Sequence, residues 1–490
     1  MTITRRDALK RIGGLGAAAG AMRFLPGCGG GGDDGAPGIK HYVYLMLENH
    51  TYDNMFGARK LAEGKMDGDG LTADMKNPDG AGGFVMVHEA PTAMLCVPDP
   101  PHGWDPSHAQ FNAGAMDGFI TEYNKSQSAT GLTQVMEYLN RTHVPVSWAL
   151  ADAYTTCDRW FASVMGPTLP NRAFWHTATS FGQIDNSAVL NKFAAVPVPT
   201  IYNRLQDKGV DWTYYYGSIA VAAALGNPGP YMLDLGANDG KTGKIRKFAA
   251  YPDDAGDMNG QFFKDCAAGK LAPVTYIDPF FGNGGNDDHP PTHPIMAQSL
   301  IAAVYTALAK SPLWKHCMLV ITYDEHGGFF DHVAPPTGPD DTLEKFGVDG
   351  FQQRGFRVPA MVIGPYVKQG YVSHVEYDHT SALKELQVAF GLDPLNIRMD
   401  MAHDLSDCID MDRLAKGDWK PPAEIPTINI DDWDRNAAGC MSSNPFIAGD
   451  PITEWANENP GKLPDARADH VAYHKAIRDY LAANQGKLRP

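Results

Sequence analysis

The chain has 490 residues and a formal net charge of −16, with 57 acidic side chains against 41 Lys and Arg, and 43% of its residues are hydrophobic. That balance suits a globular protein and excludes a disordered or collagen-like one. It also argues against a general affinity for nucleic acid or for anionic membrane surfaces. The length allows two or three domains, or one large α/β enzyme.

The N-terminus reads as an address. Thr4-Arg5-Arg6-Asp7-Ala8-Leu9-Lys10 resembles a twin-arginine export signal, and a weakly apolar, Gly/Ala-rich run comes after it. Leu25-Pro26-Gly27-Cys28 then has the form of a lipoprotein processing site that leaves Cys28 as the acylated first residue. A plain cleaved signal with an incidental cysteine is the alternative, because Arg23 interrupts the run and Pro26 is unusual there. The expected organisation is a signal peptide over 1–27, a flexible Gly-rich tether over 28–38, a catalytic domain over 39–400 and an extension over 401–490. The expected location is outside the cytoplasm, periplasmic or at the cell surface, with the membrane reached through a lipid on Cys28. No later stretch offers about 18 uninterrupted apolar residues, which argues against a transmembrane helix. The cysteines after Cys28 show no zinc spacing, and an exported chain can pair some of them. Cys317 opens an apolar run and reads as a buried free thiol.

Residues 41–47 (HYVYLML), 317–323 (CMLVITY) and 358–363 are short, β-prone and almost wholly apolar, the pattern of strands covered on both faces. Helical patterns occupy 296–309, 380–390 and 468–484, while 58–100 and 214–265 read as long loops or insertions. Strands alternating with helices predict an α/β fold, with a largely parallel sheet inside two helical layers.

The chemical signal lies at the end of each strand. The first runs into Glu48-Asn49 and the second into Asp324-Glu325-His326-Gly327-Gly328. Ligands of open α/β sheets sit beyond the carboxyl ends of the strands, and three carboxylates with one amide suit a divalent metal. Either acid alone could equally cap a loop or make a salt bridge. In Gly166-Pro167-Thr168-Leu169-Pro170-Asn171-Arg172, Thr168 fits a helix N-cap with Pro170 in the first turn. The same position favours a phosphate and a deprotonated hydroxyl, which makes Thr168 a candidate nucleophile. His379, beside Asp378 and before a helical pattern, reads as local capping.

Residues 48–57 (ENHTYDNMFG) resemble the opening signature of the bacterial phosphoesterase family that holds phospholipases C and secreted acid phosphatases. Further matches appear in the family's order: His102-Gly103-Trp104 with His108, Asn112, Met116-Asp117-Gly118-Phe119, residues 149–172, Asp288-His289-Pro290, residues 323–332 (YDEHGGFFDH) and Arg357-Val358-Pro359. The resemblance spans residues 41–392 and departs from the pattern at His50 for Arg, Thr51 for Ser and Asp288 for Glu.

The resemblance implies an alkaline-phosphatase-like, three-layer αβα sandwich with loop insertions and an irregular C-terminal extension. It implies a divalent metal ion on Glu48, Asn49, Asp324 and Glu325, Thr168 as nucleophile, and His289 and His102 on the phosphoryl side. His326 is a further catalytic candidate, and Asn171, Arg172, His108 and His332 are candidates for substrate contact. Threonine at the nucleophile's place resembles the phospholipase branch, whereas the acid phosphatases carry serine there. The expected function is metal-assisted phospholipase C cleavage of phosphatidylcholine-like diesters through a phosphothreonine intermediate. The alternatives are an acid phosphatase acting on monoesters and a non-catalytic surface lipoprotein. The expected partner is a phospholipid or a small phosphate ester, without nucleic acid.

Overall fold

The computed structural model describes residues 38–91, 95–186, 199–217, 245–248, 260–281 and 285–428. A strand with no polar side must be covered on both faces, and the apolar runs build a sheet that sits in this way between helices. Its strands in chain order are β1 (His41–Leu47), β2 (Thr155–Cys157), β3 (Trp212–Tyr216), β4 (Ile245–Lys247), β5 (Val274–Asp278), β6 (Cys317–Tyr323), β7 (Ala360–Ile363) and β8 (Tyr371–Ser373). They lie in the order β8-β2-β7-β6-β1-β5-β3-β4. All pairs are parallel except those that β7 makes with β6 and β2. The expected α/β class with a largely parallel sheet is what the chain forms.

The main covering helices are α1 (Pro145–Ala153), α2 (Thr168–Thr177), α3 (Ile295–Ala309) and α4 (His379–Phe390). α2 packs on α4, and α1 on α3. Tyr42 and Tyr44 point from β1 into the first pair, as the two-residue period of a strand requires. Tyr44 meets the Trp175 ring edge-on at 5.6 Å and donates its hydroxyl to Ala382 O, while Tyr42 meets Phe390 at 5.5 Å. In the second pair Gln298 Oε1 accepts from Ser147 N–H at 2.9 Å, and Gln298 Nε2 donates to Ser147 Oγ at 2.8 Å.

Several boundaries differ from expectation. β7 starts at Ala360 rather than 358, after Pro359, which has no N–H to give a ladder. The expected loop over 58–100 contains a helix, Ala58–Glu63, and a hairpin of Lys76–Pro78 with Phe84–Met86. The Asp79 carboxylate closes that hairpin by accepting from the Ala81 and Gly83 amides at 2.7 and 2.8 Å. Three-residue strands are too short for periodicity to show. The expected insertion over 214–265 includes the end of β3, β4 and a helix over Gln261–Ala267. The signal, the tether, Cys28 and the expected helix over 468–484 lie outside the described residues.

Residues 401–428 are packed on the sheet rather than set apart from it. Leu405, Cys408, Ile409 and Leu414 are part of the main core, and the Asp410 and Lys420 amides donate to Tyr366 O and Pro365 O. Cys96 is disulfide-bonded. Cys157, Cys266, Cys317 and Cys408 are buried free thiols, as expected for Cys317.

Candidate active site

β6, β1 and β5 are neighbours, and their register sets Tyr323 beside Leu47 and Ile277 beside Leu45. Each therefore delivers an acid to the same edge of the sheet: Asp324, Glu48 and Asp278. All three are at most 5% exposed. One guanidinium serves them. Arg172 Nε donates to Asp324 Oδ2 at 3.0 Å and Nη1 to Asp278 Oδ1 at 3.4 Å, while Nη2 stands 3.3 Å from Glu48 Oε1 and donates to Leu47 O at 3.1 Å. Only the rigid planar fork of arginine divides itself among three strand ends in this way. The expectation that Arg172 contacts substrate is corrected: fully buried, it is committed to the acids instead.

Asn171 is also corrected from substrate contact to support. It is fully buried, its amide oxygen accepts from Val164 N–H at 3.0 Å, and its nitrogen donates to the carbonyls of Val164, Gly166 and Pro167. That fixes the loop entering α2. The helix begins at Thr168 with Pro167 as its cap, so Thr168 is the first helical residue and not the cap, and it makes no side-chain capping bond. Its half-buried hydroxyl is not consumed by the helix end. Thr168 stands one turn before Arg172, on the same face of α2 and at the helix's positive end.

Two further groups complete the edge. Asn49 takes a left-handed conformation (φ 64°) directly after Glu48. Gly327 approaches it so closely that a Cβ there would lie 2.3 Å from Asn49 O, and its own φ is +63°. Only glycine meets both conditions. Asn49 Oδ1 and Glu325 Oε1 are buried without a hydrogen-bond partner, a state that costs about 1–3 kcal/mol per group. Burial pushes the Asp324 carboxyl above its usual range, with Arg172 opposing and Glu325 adding to the rise. An all-oxygen set with two orphaned acceptors fits a hard divalent cation, and Glu48, Asn49, Asp324 and Glu325 are the residues that would hold it.

Among the described residues, the acid and histidine groups whose donor atoms all lie within 4.8 Å of one another are Asp99–His102–His289 and Asp53–Asp331–His332. The strand-end carboxylates stand wider, with Arg172 bridging Glu48 and Asp324. They remain the better cation site because the set is all oxygen and two of its acceptors, Asn49 Oδ1 and Glu325 Oε1, have no hydrogen-bond partner. The carboxylates of Asp53 and Asp331, by contrast, already bind Arg357 at 3.0 Å each.

The histidines separate by what their nitrogens do. The rings of His102 and His289 are 5.5 Å apart. Nδ1 of each donates to a backbone carbonyl, Pro100 O at 2.8 Å and Pro290 O at 2.6 Å, which leaves each Nε2 free of the backbone. Asn49 Nδ2 lies 3.4 Å from the His102 ring, and Asp287 ties the His289 loop to β1 by accepting from His289 N–H and from Glu48 N–H. Burial opposes charge on both rings. At His102 the carboxylates of Glu325 and Asp99 outweigh it and raise the group to about 9, whereas His289 falls below its ordinary value.

The other candidates are placed differently. His326 Nε2 donates to Gln110 Oε1 at 2.7 Å, and Nδ1 stands 3.2 Å from Glu325 Oε2. It orients that carboxylate. His108 Nδ1 donates to Trp104 O within the helix Trp104–Phe111, and its ring packs on the Trp104 ring at 4.4 Å. It is turned onto its own helix. His332 has both nitrogens taken, Nδ1 by Asp53 Oδ2 at 2.6 Å and Nε2 by Asp69 Oδ1 at 3.1 Å, which removes it from substrate contact.

His332 is raised to about 10, because Asp53 and Asp69 overcome the penalty of burial. A raised pKa means that the folded state holds the proton more tightly than the unfolded one. The resulting stabilisation is complete below about pH 6.5 and is lost as the pH climbs through about 10. Urea midpoints should therefore fall between pH 7 and 10 more steeply in the parent than in His332→Gln. Equal slopes would show that the pair does not contribute.

Three participants escape sequence reasoning. Asp278 ends a strand as Glu48 and Asp324 come directly after theirs, but VTYID is only five residues long and runs into Pro279. Asp99 lies among prolines with no periodic signal. The local capping expected of His379 belongs to Asp378, while His379 Nε2 donates to Asp324 O at 2.7 Å. The departures at His50 and Asp288 face one another, with His50 Nε2 3.5 Å from Asp288 Oδ1, while Tyr323 OH donates to Asp288 Oδ2 at 2.7 Å.

The Phosphoesterase family matches residues 39–393. Phospholipase C A of Mycobacterium tuberculosis is 29% identical over 441 residues, covering 80% of this chain and 81% of its own. Non-specific phospholipase C6 of Arabidopsis thaliana is 32% identical over 380 residues, covering 72% and 68%. Among solved structures, an alkaline phosphatase superfamily protein from Vibrio parahaemolyticus overlaps 54% of this chain and 64% of its own, at 14% identity and a TM-score of 0.33.

Proposed function

The chain belongs to the phosphoesterase family and is a phosphoric ester hydrolase, and we propose that it is a phospholipase C that cleaves phosphatidylcholine-like diesters through a phosphothreonine. The observation that carries this reading is one edge of the sheet. Three buried acids and two orphaned oxygens lie there beside a helix whose first residue presents an uncapped hydroxyl. The names of the relatives, phospholipases C on both sides, support the diester as substrate.

In this scheme the Thr168 hydroxyl attacks phosphorus in line, and the diacylglycerol oxygen leaves. Arg172 holds the acids in register, and the positive end of α2 favours the phosphoryl group. His289 and His102, fixed through their Nδ1 hydrogen bonds, present Nε2 to stabilise the phosphoryl charge and to give the leaving oxygen its proton. Water then hydrolyses the phosphothreonine. A divalent cation on Glu48, Asn49, Asp324 and Glu325 would supply Lewis-acid polarisation and lower the pKa of a nearby hydroxyl. Positioning and electrostatics account for most of the acceleration.

The test compares phosphatidylcholine with p-nitrophenyl phosphate, each with and without a chelator. Hydrolysis of the diester that chelation abolishes is expected. Activity confined to the monoester would establish the acid phosphatase reading instead, and no hydrolysis of either would leave a binding protein. Export and anchoring at Cys28 belong to the same proposal, and the disulfide at Cys96 supports passage through an oxidising compartment. Cys28→Ser should move the protein into the soluble fraction, and unchanged partitioning would remove the anchor.

A further inference from the structure

Two of the buried free thiols touch. Cys157, the last residue of β2, and Cys408, at the end of the turn Leu405–Cys408, have their sulfurs 3.9 Å apart although they are 251 positions apart in sequence. Both are 0% exposed. The backbone on each side is held without help from the sulfurs. Cys157 is in register with Ser373 of β8, and Asp407 accepts from Ser373 Oγ at 2.6 Å and from Tyr371 OH at 3.1 Å. Thr155 Oγ1 and Lys368 N–H both reach the same stretch, the latter donating to Cys408 O at 2.9 Å. The fold thus brings the two residues together by contacts that do not involve the sulfurs, and leaves the sulfurs 3.9 Å apart.

We propose that Cys157 and Cys408 form a structural disulfide when the chain folds in an oxidising environment, clasping the C-terminal segment onto β2. Two S–H bonds break and one S–S bond forms. The two electrons and two protons pass to a disulfide oxidant, which leaves as two thiols. Because the thiolate is the attacking species, and burial holds the Cys157 thiol far from ionising in the finished fold, closure belongs to folding. Once made, the bond is shielded from reductants by the core around it. Tyr377, whose hydroxyl stands 3.8 Å from Cys408 Sγ, closes one side. A cross-link over so long a loop removes much of the freedom of the unfolded chain.

The test uses the full chain, refolded with oxidised and reduced glutathione and, in parallel, with a reductant alone. Each sample is denatured, alkylated without reduction and digested with trypsin. The oxidised sample should yield peptides 142–159 and 399–413 joined, 2 mass units below the sum of the free pair. Its melting temperature should stand several degrees above that of Cys408→Ala refolded under the same oxidising conditions, a gap that should close when both are refolded in reductant, where the bond at Cys96 is absent from each. Full alkylation of both cysteines in the oxidised sample would overturn the proposal, as would either one linked to Cys96. The outcome is independent of the catalytic reading, since it turns on mass and melting rather than on hydrolysis.

Discussion

Thr168→Ala is expected to abolish turnover while leaving the fold intact. Thr168 makes no capping bond at the start of α2, so its replacement costs about 1 kcal/mol or less, in the range of changes that disturb no packed or paired group. Thr168→Ser should keep part of the activity, because the hydroxyl remains while the β-branch that restrains its rotamer is lost. Rapid quenching with a diester labelled in its head-group phosphate is expected to leave label on the parent protein and none on Thr168→Ala. Full activity in Thr168→Ala would end the scheme, and label that persists in this variant would move the nucleophile elsewhere.

The second large effect belongs to the strand-end acids. Asp324→Asn and Glu48→Gln should each remove nearly all activity and most of the bound divalent metal, read by elemental analysis. Since Arg172 ties both carboxylates into one unit, the double variant should be little worse than either single one. Losses that multiply would mean two independent sites. Removal of Arg172 itself falls in a different class. It would leave Glu48, Asp278 and Asp324 buried without their cation, and breaking a buried ion pair from one side costs about 3–5 kcal/mol. Such a variant would report on folding rather than on chemistry.

Much of this site is legible in the sequence because two parallel strands announce themselves as apolar runs and each leads at once into its acids. The chemistry there is local to the strand end. The role of Arg172 is hidden for the opposite reason: it depends on which three strands are neighbours, and no spacing in the chain states that β5 lies beside β1. Asp278 is lost with its strand. Among the histidines the residue type is informative and the role is not, because the role depends on which nitrogen is already engaged. His102 and His289 spend Nδ1 on backbone carbonyls and keep Nε2, whereas His332 spends both nitrogens on carboxylates. The one-residue offset at Thr168 has a similar origin. Proline at 167 supplies the extended entry that a capping threonine would otherwise adopt.

The reversed direction of β7 separates two tasks. Every parallel strand of the sheet delivers its end to the edge that carries the acids, but β7 runs the other way, with Ile363 beside Leu319 and Ala360 beside Thr322. The chain leaving β7 therefore emerges at the far edge, and residues 365–368 are where the segment after 405 is tied down. Those ties lie away from Glu48, Asp324 and Thr168 in the hydrogen-bond pattern, and the segment is expected to open before the strands that carry the acids. In hydrogen exchange the Asp410 and Lys420 amides should lose protection earlier than those of β1 and β6, since sub-global opening spares the most deeply packed strands. The reversal of one strand thus gives the C-terminal segment an anchorage of its own, apart from the strand ends that carry the acids.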